Sequence, residues 1–160
     1  RALDCMTKEI YQLEGTVDKY MGDAVMAFWG APLSNTEHAK NAIQAACGIQ
    51  RSISELSVKL KAEGGPVLEV GVGISSGEVV VGDIGSSYRH NYTVIGDAVN
   101  LAARVQKLCK EFDVDILITG DSVGYLMDAD DEEFDLLPIQ EISIAGRENS
   151  VEVYGVYFEQ

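Results

Sequence analysis

Residues 15–32 read GTVDKYMGDAVMAFWGAP. Two β-prone runs, TVDKY and AVMAFW, flank Gly22-Asp23, a pairing that predicts a tight two-residue hairpin turn. Gly30-Ala31-Pro32 ends the second run. Before the hairpin, Leu3, Met6, Ile10 and Leu13 recur every three or four positions, which predicts a helix over residues 1–14 that Gly15 stops. After it, Asn35 or Thr36 is placed to cap a long helix over about residues 37–62. Its expected buried stripe is Ala39, Ile43, Ala46, Cys47, Ile53, Leu56 and Leu60, and Gly64-Gly65-Pro66 closes it.

Residues 68–82, LEVGVGISSGEVVVG, read as strand. Glycines at 71, 73 and 77 weaken a strand unless something must come close to the backbone. NYTVIG is a second strand, and Asp97 is placed to cap a helix to about residue 112 with Leu101, Val105 and Leu108 on one side. VDILIT, at 114–119, is a short buried strand, and residues 121–127 form one or two helical turns. Two late strands are expected at about 136–144 and 151–158. Helices and strands alternate without repeat or linker, so the 160 residues form one sheet domain of the α/β or α+β class.

The formal charge is -14, which argues against a nucleic-acid backbone or an anionic membrane surface as partner. An anionic substrate stays possible, because at about 0.1 M salt charges beyond roughly 10 Å are screened and local cations decide. Much of the acid lies in one run, Asp128 to Glu133 plus Asp135, read as a solvated loop. Cys5, Cys47 and Cys109 are far apart with no CxxC pair, which fits reduced thiols and a cytoplasmic location. His38 and His90 form no cluster and read as structural or surface residues. No apolar stretch is long enough to span a bilayer.

GTVDKYMGDAVMAFWGAP and YTVIGDAVNLAARVQ together resemble the signatures of the class III adenylyl and guanylyl cyclases. GISSGEVVVGDIGS and the tail ISIAGRENSVEVYGVY match as well, so the likeness covers nearly the whole chain. It implies a ferredoxin-like α+β cyclase homology domain over residues 1–160, a mainly antiparallel sheet with helices packed on it. It also implies conversion of ATP to 3′,5′-cyclic AMP and pyrophosphate. By the resemblance, Asp23 holds divalent metal, Mg²⁺ or Mn²⁺, two ions per site; a hard carboxylate oxygen suits either ion. Lys19 and Thr93 read the purine: lysine donates to adenine ring nitrogen and the Thr93 hydroxyl accepts from the adenine amino group. Asn100 orients the ribose. Arg104, four residues on and therefore on the same helix face, stabilises phosphate charge. Arg147 is placed to contact phosphate where many relatives carry a lysine at the position of Ala145.

In the family the metal aspartates come from one protomer and the base-reading, Asn and Arg residues from the other. This chain carries both kinds, which implies a homodimer with two composite sites and a regulatory or sensor domain in the full-length parent. The family's first strand, a segment like FxDIxGFT with the first metal aspartate, has no counterpart here. The resemblance therefore predicts an open apolar edge on the hairpin. It also predicts that this 160-residue piece binds metal poorly and makes no cyclic AMP while its parent is active. Two other readings are a guanylyl cyclase, which Lys19 disfavours, and a noncatalytic nucleotide-binding or dimerisation homologue.

Overall fold

The computed structural model describes residues 1–83, 92–126, 133–143 and 149–159. They form two compact units, Arg1–Val70 with Val79–Gly96, and Gly71–Glu78 with Asp97–Gln160.

The first unit opens with α1 (Ala2–Gln12), then the hairpin β1 (Thr16–Met21) and β2 (Ala24–Phe28), and then α2 (His38–Ala62). Gly22 sits at φ 63, so the two-residue turn forms as its sequence predicts. The helix stop differs from expectation. Glu14 takes the positive φ, at 66, while the Gly15 amide bonds to the Ile10 carbonyl at 2.9 Å. Gly15 is needed for space: a Cβ there would stand 2.6 Å from the Trp29 ring. The same indole donates Nε1–H to the Leu13 carbonyl at 2.8 Å, tying the end of α1 to the end of β2.

Helix α2 has no side-chain cap bond at its Glu37 N-cap; the Asn35 side chain instead accepts from the Glu37 amide, at 2.9 Å, just ahead of the helix. Its apolar stripe holds it. Ala39, Ile43, Ala46, Cys47, Ile53 and Leu56 are all buried, and one buried isoleucine contributes roughly 1.5–3 kcal/mol against about 1 kcal/mol for a cap. Met6 and Ile10 of α1 meet Ile49 and Ile53 of α2, with Val17, Val25 and Trp29 packed around them. The unit also holds a second hairpin, β4 (Val80–Asp83) with β5 (Tyr92–Ile95). Among the described residues β1 and β2 pair only with each other, as do β4 and β5.

The second unit contains β3 (Val72–Ile74), α3 (Asp97–Phe112), β6 (Ile116–Thr119), α4 (Gly120–Gly124), β7 (Asp135–Ile142) and β8 (Val151–Tyr157). Its sheet runs β3-β6-β8-β7; β3 and β6 are parallel, the other pairs antiparallel. Leu101, Val105 and Cys109 of α3 pack on Val114, Leu117, Ile142 and Val153. The expected single strand over 68–82 is corrected to two short strands, β3 and β4. What approaches the glycine backbone is α3. A Cβ on Gly73 would overlap the helix backbone at Ala102 and Gln106, and one on Gly71 would lie 2.9 Å from Cβ of Cys109. The pattern is otherwise α+β and mainly antiparallel, as expected.

Candidate active site

In the first unit, β1 carries an irregularity in its register between Val17 and Lys19. A bulge of this kind re-aims a side chain, and here the residue concerned is Asp18. Its side chain is 3% exposed. Its Oδ2 accepts from the Thr93 hydroxyl at 2.9 Å and from the Val94 amide at 3.2 Å. Its Oδ1 lies 3.8 Å from Nζ of Lys19, whose own side chain is 50% exposed. The predicted base-reading residues Lys19 and Thr93, far apart in sequence, thus meet on one carboxylate. Sequence reasoning missed Asp18. No local signal marked it: directly before Lys19 it reads as one acid in a strand, and its partners Thr93 and Val94 lie some 75 residues on.

Asp23 is exposed at the tip of the β1–β2 turn. Among the described residues no three His, Cys, Asp or Glu side chains converge as a metal-holding group. One carboxylate supplies only one or two of the roughly six oxygen ligands that Mg²⁺ takes. The chemistry of Asp23 suits such an ion, but the described residues do not complete a site for it.

In the second unit, Asn100 and Arg104 project from one side of α3 and both are exposed. Arg104 donates Nη2–H to the Ser143 carbonyl at 3.1 Å. That bond anchors the guanidinium, and its fork of five N–H groups keeps donors for an anion. Arg147 and Ala145 lie outside the described residues, as does His90. An open cavity of about 180 Å³ in this unit is lined by Ser76, Glu78, Asp97 and Asp121 among others, and by none of the predicted site residues. Its carboxylates would repel a triphosphate.

Cys47 and Cys109 are buried and Cys5 half-buried, and none of the three is in a disulfide. Burial pushes the Cys109 thiol up to about 11; it is a packed core group and no nucleophile. Among the described residues no helix is long and apolar enough to cross a membrane.

The α+β fold, helices packed on mainly antiparallel sheets, is that of the class III cyclase catalytic domains. The comparisons agree. The family model for the adenylate and guanylate cyclase catalytic domain matches residues 5–157, and the chain belongs to that family. An adenylate cyclase of Anabaena cylindrica is 37% identical over 159 residues, 96% of this chain and 30% of that protein. The crystal structure of the adenylyl cyclase CyaB from P. aeruginosa gives a TM-score of 0.85 at 27% identity, covering 99% of this chain and 80% of that one. The guanylyl cyclase Cya2 gives 0.81 at 29% identity, covering 97% and 76%. The chain spans less than a third of the length of the curated relatives it matches. The family generally uses divalent metals.

Proposed function

We propose that this domain converts ATP to 3′,5′-cyclic AMP and pyrophosphate. The observation that carries the reading is the convergence of Lys19 and Thr93 on Asp18, which gathers the two base-reading positions at one point. Lys19 donates to N1 of adenine, and Thr93 accepts from the exocyclic amino group. Asn100 orients the ribose so that its 3′ oxygen faces the α-phosphorus. The 3′ hydroxyl gives up its proton to solvent, its oxygen bonds to the α-phosphorus, and the bond from that phosphorus to the bridging oxygen breaks so that pyrophosphate leaves. Arg104 holds the negative charge that grows on the phosphoryl oxygens, with Arg147 as a second phosphate contact. Catalysis of this type rests on positioning and electrostatics and needs no covalent intermediate. Asp23 supplies a carboxylate toward Mg²⁺ or Mn²⁺, whose chemistry when bound is to polarise phosphate oxygens.

The working assembly is a homodimer, since one chain carries both the hairpin carboxylate and the base-reading, Asn and Arg positions. The first unit supports this with apolar side chains left in solvent: Val80 and Ile95, direct cross-strand partners, are 70% and 56% exposed, and Tyr20 and Met21 about half. The small share of its relatives' length that the chain spans supports regulation by another part of the full-length protein. An ATP substrate and cysteines outside any disulfide fit a cytoplasmic site of action. With no carboxylate beside Asp23 to complete a metal site among the described residues, these 160 residues are expected to be inactive by themselves.

The likeness to Cya2 keeps a guanylyl cyclase as the second reading, which Lys19 opposes because guanine N1 carries a proton. The test is cyclic product formation from ATP and from GTP by the full-length protein with Mn²⁺. Cyclic AMP should dominate, and Lys19→Glu with Thr93→Cys should shift preference toward GTP. An unchanged ratio removes the base-reading assignment, and absence of any cyclic nucleotide removes the activity.

A further inference from the structure

We infer that Asp18 is a specificity-determining positioning residue: it fixes the direction of the Thr93 hydroxyl and so makes Thr93 an acceptor only. The inference rests on the reading of Lys19 and Thr93 as the base-reading pair.

A threonine hydroxyl has one proton and two lone pairs and rotates to suit its partner. Left to itself it would serve an amino group or a carbonyl equally well, and would read nothing. Here the proton is committed. Thr93 donates to Asp18 Oδ2 at 2.9 Å, and the carboxylate cannot turn away. The Val94 amide, in a residue 6% exposed, holds the same oxygen at 3.2 Å, and the Lys19 ammonium faces the other oxygen at 3.8 Å. The register irregularity at this point in β1 aims the carboxylate at β5. An ionised carboxylate only accepts, so the bond cannot reverse. What remains to a ligand is a lone pair on Thr93 and an N–H on Lys19. That pattern complements adenine, with its amino donor and N1 acceptor. It opposes guanine, which offers an O6 acceptor and an N1–H donor at the same edge. Asp18 touches no nucleotide in this scheme and acts through its two neighbours.

The test measures kcat/KM for ATP and for GTP on the full-length protein, together with displacement of a fluorescent ATP analogue by each nucleotide. Asp18→Ala frees the hydroxyl to rotate, so the ATP:GTP ratio should fall by about tenfold, the size of one hydrogen bond to a buried partner. Asp18→Asn keeps an acceptor oxygen and should hold the ratio within about twofold of wild type. Thr93→Val does not depend on whether Asp18→Ala folds: it should lower ATP turnover and leave GTP turnover undiminished, since it removes an acceptor that guanine finds repulsive. A GTP loss matching the ATP loss in Thr93→Val, or equal losses for both nucleotides in Asp18→Ala, overturns the role of Asp18. If Thr93→Val changes neither nucleotide, the base-reading assignment itself fails and the inference falls with it.

Discussion

Arg104→Ala separates a side chain that serves the transition state from one that serves the fold. In the structure Arg104 is exposed and, among the described residues, makes one hydrogen bond, to the Ser143 carbonyl at 3.1 Å. That carbonyl can bond to water once the guanidinium is gone, so the loss of stability should stay within about 0.5–1 kcal/mol. For a domain of this size that lowers Tm by roughly 1–4 °C. Removing a preorganised donor from a developing phosphoryl charge costs far more, about 3–4 kcal/mol, or 10²–10³-fold in kcat. The two effects differ enough to be separated. Arg104→Lys should recover only part of the loss, because an ammonium keeps the charge and gives up the planar fork. The assay is cyclic AMP formation by the full-length protein at saturating ATP, read beside thermal melts of the same preparations. A kcat within about threefold of wild type refutes the assignment. So does a turnover loss that tracks the fall in Tm, which would mean that the Ser143 bond was the function of the residue.

Two further outcomes follow from the packing. Gly73→Ala drives a methyl group into the backbone of α3 at Ala102 and Gln106; by thermal melting it should cost roughly 3 kcal/mol, whereas Gly82→Ala, with nothing within 4 Å, should be nearly neutral. Equal melting temperatures for the two variants would contradict the close approach of α3. Burial holds the Cys109 thiol up to about 11, so the folded state disfavours its thiolate. The stability this gives is fully present below the ordinary cysteine pKa of about 8.5 and is lost as pH rises toward 11, with a slope of at most about 1.4 kcal/mol per pH unit. Denaturant midpoints measured from pH 8 to 11 should fall more steeply for wild type than for Cys109→Ala; parallel curves would show that the fold does not shift the titration of this thiol.

The likeness to a cyclase was legible because its signals are local. Gly22-Asp23 between two β-prone runs predicts the hairpin locally, and Gly22 takes φ 63 at its turn. The four-residue step from Asn100 to Arg104 puts both on one helix face by period alone. The long helices were read from their apolar stripes, and α2 starts at His38, within one residue of the expected start.

What escaped the sequence depends on pairs distant along the chain. Gly15 reads as a helix stop, yet the indole of Trp29 is what demands a glycine there. Glycines 71 and 73 announce close approach, but only the packed structure identifies α3 as what approaches. Asp18 is the clearest case: next to Lys19 it reads as one acid in a strand. Folding brings Thr93 and Val94 of another hairpin onto its carboxylate. By itself the sequence determined most of the elements, the family and the residue types that chemistry needs, since these follow from short-range period, turn preference and local motifs. Tertiary structure alone decided which donor meets which acceptor, because hydrogen-bond direction is set by partners that chain order does not bring together.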